Sequence, residues 1–322
     1  MSRFAHAIAH PNIAFIKYWG NRDNALRLPA NGSVSMNLAA LSTHTSVTFR
    51  DDLRADTLVI DGREISGTAL ARVSDFMDQV RRLAPGCGYA EIDSVNNFPM
   101  GAGIASSAAA FAALALAAAG AAGLSLSEKD SSRLARLGSG SACRSIPDGF
   151  CEWGVGSDED SFAVSIAPAS HWDLVDLVAV ISEEHKKVTS SAGHTAAFSS
   201  PFQSERVRTA AERVLICRKA ILERDFSALA RVSEQDMIMM HSVMMTQAQP
   251  LFYWEPATIR LIKAVREWRE NGLHCFATID AGPNVHVICT REDMEAVDGE
   301  MKKLNGIRDI LVSSPGGKAL LL

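Results

Sequence analysis

The segment that most constrains the fold is residues 97–120, which read NFPMGAGIASSAAAFAALALAAAG. Residues 108–119 contain Ala, Leu and Phe alone, so the run favours a helix that is apolar on every side. Such a helix is stable only when other elements cover it completely. The sequence therefore predicts a buried helix, preceded by a chain break at Asn97-Phe98-Pro99, around which the other elements pack.

A loop of small residues precedes this helix. Gly101 and Gly103 allow the backbone to turn tightly and to approach a ligand, because they carry no Cβ. The start of the helix offers free N–H groups and a positive dipole end, which suit phosphate. Ser106 and Ser107 are placed to reach phosphate oxygens or Mg²⁺. The pattern is neither the Walker loop nor the dinucleotide fingerprint, so a capped core helix without a ligand is the alternative.

Composition narrows the class of protein. The chain has 322 residues, 47% of them hydrophobic, with a net charge of −5 and a pI near 6.0, which argues against a nucleic-acid surface. The apolar run 108–122 is too short to span a bilayer, and the first residues lack the apolar core of a signal peptide. The six cysteines show no CxxC or zinc spacing, which favours reduced thiols. We expect a cytoplasmic protein that binds neither nucleic acid nor membrane.

The distribution of elements predicts an α+β fold. The first third is rich in strands, at residues 4–14, 33–38, 45–49 and 89–95, with a hairpin at 57–62 and a helix at 69–83. Ser127 is the predicted N-cap of the helix after the apolar run. The second half contains long amphipathic helices, at residues 204–223, 226–245 and 256–271, and strands at 275–279, 285–289 and 307–312. We place a boundary near Glu183, which divides the chain into residues 1–183 and 184–322.

Lys17, Arg144 and Asp280 are the candidate chemical groups. Lys17 interrupts the apolar run 13–19, either as a strand-edge residue that reaches water or as a half-buried cation aimed at an anion. Arg144 lies among Gly and Ser in the segment GSGSACRS, where a guanidinium can grip a carboxylate or phosphate. Asp280 follows an apolar strand and precedes a Gly-Pro turn, which is a good position for a general base, although an Asp often simply starts a turn.

Four segments in order resemble a known family. IAFIKYWG (13–20), NFPMGAGIASSAAAFAAL (97–114), GSGSACRS (138–145) and DAGPNV (280–285) are similar to the signature segments of the diphosphomevalonate decarboxylases, in the GHMP kinase superfamily. The resemblance spans nearly the whole chain. It implies a two-lobed fold, with an N-terminal ribosomal-S5-like half, a C-terminal ferredoxin-like half and the site in the cleft between them.

The resemblance also implies an activity and roles for individual residues. The activity is ATP- and Mg²⁺-dependent decarboxylation of a 5-phosphorylated mevalonate in isoprenoid biosynthesis, by phosphorylation of the C3 hydroxyl and loss of phosphate and CO₂. Asp280 would orient or deprotonate that hydroxyl, with Lys17 near the transferring group and Arg144 on the C1 carboxylate. The ATP phosphates, and Mg²⁺ through Ser107, would be held by Gly101, Gly103, Ala105, Ser106 and Ser107. The substrate would contact Tyr18, Ser139, Ser141, Arg144, Ser190 and Ser191.

The departures from the family pattern leave alternatives open. Asn21 stands where relatives usually carry Lys, Ser191 stands where bacterial relatives often carry Arg, and His194 replaces a Met. Two cations near the substrate phosphates are therefore missing, so the 5-monophosphate is an alternative substrate. A kinase that does not decarboxylate and a non-catalytic binder on the same fold are further alternatives. The sequence allows a homodimer without indicating the oligomeric state.

Overall fold

The computed structural model describes residues 3–98, 106–182 and 190–322. The strands are β1 Phe4–Ala9, β2 Asn12–Ile16, β3 Asn21–Asp23, β4 Leu28–Pro29, β5 Ser33–Asn37, β6 Thr43–Arg50, β7 Thr57–Ile60, β8 Arg63–Glu64, β9 Tyr89–Asn96, β10 Phe150–Trp153, β11 Ala163–Ala167, β12 Leu174–Val180, β13 Cys275–Thr278, β14 Val285–Thr290, β15 Asp309–Ser313 and β16 Leu320–Leu321. The helices are α1 Gly67–Leu83, α2 Ser106–Ala121, α3 Glu128–Gly138, α4 Ser190–Ala196, α5 Gln203–Arg208, α6 Ala210–Glu223, α7 Phe226–Thr246, α8 Pro256–Glu270 and α9 Met294–Met301.

The apolar helix α2 is buried, as its composition predicts. It packs against β1 and β6, and its side chains share a core with α1 and α3. Phe111 is central to this core, since its ring meets Phe76 edge to face at 5.5 Å. Gly138, at the end of α3, lies against the same ring so closely that any Cβ would overlap it. The small residue at the end of α3 is therefore required by the packing of α2.

Three sheets carry the structure. The first has the order β16-β1-β6-β9-β7-β8 and is antiparallel except where β7 runs parallel to β9. The second has the order β11-β10-β5-β2, and the third β13-β14-β12-β15. In β6, buried and half-buried residues alternate, because one face of the first sheet lies on α2. Strand β12 is buried at all seven positions, since cores of apolar side chains lie on both of its faces.

The mixed helix and strand content confirms the predicted α+β class, and the structure refines two details. The predicted strand at residues 4–14, with its turn at Pro11, forms two strands, β1 and β2, on either side of His10 and Pro11. The predicted helix at 204–223 is α5 followed by α6, with an interruption at Thr209. Arg206 and Arg213, on either side of that interruption, both reach one buried carboxylate, Asp236. This shared tertiary contact interrupts the helix, and the spacing of residues in the sequence does not reveal the interruption.

The last segment of the sequence returns to the N-terminal half. Gly316 N donates to Asn37 O at 2.7 Å, and Gly149 N donates to Gly316 O at 3.1 Å. Ala319 N donates to Ile146 O at 3.1 Å, and β16 then pairs with β1. Strand β12, by contrast, precedes residue 183 but pairs with β14 and β15. The division of the chain at residue 183 stays a prediction. Across the described residues, no helix combines the length and hydrophobicity needed to span a membrane.

Candidate active site

Lys17 is a fully buried cation, and the fold fixes it from several sides. It follows β2, and its side chain is 1% exposed. Lys17 Nζ donates to Asp280 Oδ1 at 2.7 Å. Its backbone N donates to Asp236 Oδ2 at 2.6 Å, and its carbonyl accepts from Arg206 at 2.7 Å and Asn31 at 2.9 Å. Burial lowers the pKa of Lys17, and the neighbouring Asp280 opposes that change.

Asp280 lies on the loop between β13 and β14, as the strand-end prediction expects. Its side chain remains 22% exposed, while its Oδ1 accepts from Lys17. Burial raises the pKa of Asp280, but the positive charges of Lys17 and Arg144 and the hydrogen bond from Lys17 outweigh burial, so the pKa falls below its usual value. Asp280 is therefore a carboxylate at neutral pH, and its Oδ2 is the oxygen that Lys17 does not occupy.

The support beneath Lys17 is a buried ionic cluster on α5, α6 and α7. Asp236 Oδ1 accepts from Arg213 Nε at 2.8 Å, and Asp236 Oδ2 accepts from Arg206 at 3.3 Å. Asp236 and Arg206 are fully buried. Sequence reasoning missed this cluster, although a signal existed: Asp236 occupies a position that the helical period of α7 assigns to the core. Removing one member of such a cluster leaves an uncompensated buried charge.

Arg144 is buried in the 3-10 turn Gly140–Ser145, where neutral oxygens hold its guanidinium. Its nitrogens donate to Ser35 Oγ at 3.0 Å, Ser33 Oγ at 2.7 Å and Asn12 Oδ1 at 3.1 Å. No carboxylate forms an ion pair with it among the residues that the structure describes, and burial lowers its pKa. The three partners were missed from sequence. The alternation of Ser33 and Ser35 with apolar residues in β5 is the signal that indicates a buried polar face.

A row of serine hydroxyls links the start of α2 to the turn that bears Arg144. Ser107 Oγ lies 3.1 Å from Ser139 Oγ, which lies 3.5 Å from Ser141 Oγ. Ser107 is exposed at the first turn of α2, whereas Ser139 is buried. The start of α2 and the predicted substrate segment therefore meet, although they are separated in the sequence by α3.

Tyr18 forms an aromatic wall beside Arg144. Its ring lies 4.7 Å from Trp153, edge to face, and 4.1 Å from His194, stacked. Its hydroxyl donates to Asn21 Oδ1. His194 Nδ1 accepts from Gly20 N at 2.9 Å, which fixes His194 in this stack. Asn21 and His194, two of the departures from the family pattern, thus both contact Tyr18.

The structure brings most of the predicted site residues into one region of the molecule. Lys17 and Asp280 form an ion pair, Arg144 is near enough to lower the pKa of both, and Ser107, Ser139 and Ser141 form one row. Ser106 is the first residue of α2. Five predicted residues lie outside the described part of the chain, wholly or in their side chains: Gly101, Gly103, Ala105, Ser190 and Ser191.

Two family profiles cover most of the chain. The profile of the diphosphomevalonate decarboxylase-like N-terminal domain matches residues 9–163, and that of the mevalonate 5-diphosphate decarboxylase C-terminal domain matches residues 176–312. The diphosphomevalonate decarboxylase of Aspergillus fumigatus is 36% identical over 94% of this chain and 80% of its own length. The human diphosphomevalonate decarboxylase is 37% identical over 88% of this chain and 76% of its own length.

Solved structures agree with this assignment. Mevalonate diphosphate decarboxylase from Staphylococcus aureus superposes with a TM-score of 0.93 at 38% identity, over 99% of this chain and 98% of that one. A structure described as MDDEF in complex with MVAPP, AMPPCP and magnesium gives a TM-score of 0.93 at 36% identity, with the same coverage. At these identities and coverages, the similarity extends beyond the fold to the arrangement of the whole chain.

Proposed function

Since the chain belongs to the diphosphomevalonate decarboxylase family, we propose that it catalyses the ATP-dependent decarboxylation of a 5-phosphorylated mevalonate. The diphosphate is the first candidate substrate. The observation that carries the proposal is the buried Lys17–Asp280 pair, 2.7 Å between Nζ and Oδ1, with Arg144 near enough to affect both pKa values. The reaction requires a carboxylate that faces the C3 hydroxyl and a buried cation that faces the C1 carboxylate. Asp280 and Arg144 would supply these two groups at one site.

The chemistry assigned to these residues is phosphoryl transfer followed by elimination. Asp280 Oδ2 accepts the hydrogen bond, and then the proton, of the C3 hydroxyl as its oxygen attacks the γ-phosphorus of ATP. The bond between the γ-phosphorus and the β,γ-bridging oxygen breaks, and ADP leaves. Lys17 holds Asp280 in place and offsets negative charge near the transferring group. The C3–O bond then breaks and releases inorganic phosphate. The electrons of the C1–C2 bond form the C2–C3 double bond as CO₂ leaves, and Arg144 positions the C1 carboxylate until then.

The nucleotide site is assigned to the start of α2. The exposed hydroxyl of Ser107 and the positive dipole end of α2 suit phosphate oxygens. The described residues contain no cluster of three or more His, Cys, Asp or Glu side chains suited to a metal. Mg²⁺ commonly takes most of its ligands from phosphates and water, so the Ser107 hydroxyl fits as its protein contact. When bound, Mg²⁺ neutralises phosphate charge. The complex of MDDEF with MVAPP, AMPPCP and magnesium supports ATP and Mg²⁺ as the molecules that this site would hold.

A single assay tests the proposal and separates its rivals. Purified protein is incubated with ATP and Mg²⁺ and with mevalonate, its 5-phosphate or its 5-diphosphate, and ADP, phosphate and CO₂ are measured. Equal amounts of CO₂ and ADP are expected with a phosphorylated substrate. ADP without CO₂ would indicate a kinase that phosphorylates the C3 hydroxyl only. No ADP with any of the three substrates would indicate a non-catalytic binder and reject the proposal.

The 5-monophosphate is the second candidate substrate, because two expected cations are absent. Asn21 accepts a hydrogen bond from the Tyr18 hydroxyl and donates one to Asn24 Oδ1 at 3.1 Å. A Lys at this position would instead supply a positive charge. Each charge-assisted contact contributes about 1.5–3 kcal/mol. The double substitution Asn21→Lys and Ser191→Arg should therefore shift kcat/KM toward the diphosphate by roughly two to four powers of ten.

The matched control for that double variant is Arg22→Lys, which keeps the charge next to Asn21. It should leave the ratio of kcat/KM values for the two substrates unchanged. The unmodified enzyme could already prefer the diphosphate strongly, and the double variant could gain nothing. That result would show that the number of cations near the substrate phosphates does not set specificity.

A homodimer, a cytoplasmic location and the lobes 1–183 and 184–322 are further parts of the proposal.

A further inference from the structure

A second cavity lies outside the candidate active site, on the outer side of α7. It has a volume of about 540 Å³ and is bounded by α7 and α8. Arg231, Glu234 and Ile238, which lie one turn apart on α7, face it. Asp236, which supports Lys17, points the other way on the same helix, because alternate positions of a helix face nearly opposite sides. The cavity is therefore separate from the Lys17–Asp280 site.

Positive charge dominates this cavity. Three guanidinium groups line it, from Arg231, Arg266 and Arg269, against one carboxylate, Glu234. Arg269 already neutralises Glu234, with a bidentate contact at 2.9 and 2.8 Å. Arg266 lies 3.9 Å from Glu234 and is 47% exposed. In the described part of the chain, Arg231 contacts no carboxylate. Two positive charges thus remain uncompensated in a protein whose net charge is −5.

The rest of the lining is mixed: Ala230, Ile238 and Met239 are apolar, whereas Ser227 and Gln235 are polar. Guanidinium groups bind phosphate bidentately, whereas apolar side chains favour a hydrocarbon. We propose that this cavity binds a small organic phosphate or diphosphate that carries a short apolar chain. The proposal is independent of the proposed function, because it uses none of the candidate active-site residues.

The test is calorimetric titration of the full chain with inorganic phosphate, inorganic diphosphate and pentyl phosphate. The test variant is Arg231→Gln with Arg266→Gln, which leaves the Arg269–Glu234 pair intact. The control is Arg260→Gln with Arg308→Gln, two exposed arginines outside the cavity, of which Arg260 bonds only to the backbone oxygen of Asn305 at 3.1 Å. Both double variants lose the same charge, so nonspecific attraction is matched.

Wild type and control should bind pentyl phosphate at least tenfold more tightly than inorganic phosphate, because the chain adds buried apolar area. The Arg231/Arg266 variant should bind pentyl phosphate at least tenfold more weakly than the control. Ile238→Ser should reduce the advantage of pentyl phosphate over inorganic phosphate and leave inorganic phosphate binding unchanged. Thermal unfolding of each variant establishes that it is folded.

Two results would overturn the proposal. One is equal binding of all three probes by the Arg231/Arg266 variant and its control, which would place any phosphate binding elsewhere. The other is a change of sedimentation coefficient in the Arg231/Arg266 variant with no change in probe binding. That result would identify this face as an interface between copies of the chain.

Discussion

At the scale of single residues, the site depends on a cation and an anion that are 263 positions apart in the sequence. The sequence pattern alone indicated each residue as a candidate, because Lys17 interrupts an apolar run and Asp280 ends a strand. Their pairing was not predictable from the sequence, since the packing of α7 against both β2 and β13 brings them together. The pairing of Asp236 with Arg206 likewise depends on tertiary contact, although the helical period of α7 places Asp236 on the buried face.

Asp280→Asn tests the assigned base. The amide keeps the size of the side chain but cannot accept the proton, so turnover should fall by about 10²–10⁴-fold while ATP binding persists. The measurement is kcat together with nucleotide affinity. Asp173→Asn, at an exposed carboxylate, serves as the control and should be near wild type. Near-normal turnover in Asp280→Asn would remove Asp280 from the mechanism.

Lys17→Met tests the charge that keeps Asp280 ionised. Asp280 must be a carboxylate to accept a proton, so the rate is lost as pH falls through its pKa. Lys17 lowers that pKa, and without it burial is less opposed, so the acid limb of kcat/KM should move to higher pH. Lys219→Met, at an exposed lysine, should leave the limb in place. An unmoved limb in Lys17→Met would mean that another group sets the pH dependence.

At the scale of elements, α2 organises the core, and its start is the proposed nucleotide site. Its composition predicted its burial and roughly its bounds, and the N-cap of α3 was also predicted, since Ser127 accepts from Asp130 N at 3.1 Å. The helix bounds and the N-cap are determined by residues that are close together in the sequence. The break between α5 and α6 and the two-residue strand β16 depend on distant contacts, so no local pattern specifies them.

Ser107→Ala tests the role assigned to the start of α2. Loss of the hydroxyl should raise the KM for ATP-Mg²⁺ more than that for the phosphorylated mevalonate, because Ser107 is assigned to the nucleotide. Ser127→Ala is the contrasting variant: it removes the cap of α3 and should cost about 1 kcal/mol of unfolding free energy without changing the KM for ATP. Unchanged KM and kcat in Ser107→Ala would make that serine structural.

At the scale of the whole molecule, residues 314–322 pack against the N-terminal half of the chain. They bond to the backbone at Asn37, Ile146 and Gly149, close to the turn that holds Arg144, and Leu321 packs on α2 at Gly120. Removing residues 314–322 should lower the unfolding free energy by several kcal/mol, at about 0.5–1.5 kcal/mol for each lost hydrogen bond. Urea unfolding measures the loss. A chain shortened by Leu322 alone should lose far less, and equal midpoints for the two would contradict this account.

The return of residues 314–322 to the first sheet also sets the order of events during synthesis. β1, β6 and β9 are synthesised well before β16, the strand that covers the outer edge of β1. At about 5–20 residues per second, the ribosome needs roughly 10–30 seconds to pass from β11 to β16. During that interval the edge of β1 carries unpaired backbone groups, which can pair with another chain. The nascent N-terminal half is therefore the stage at which we expect chaperones to matter most for this protein.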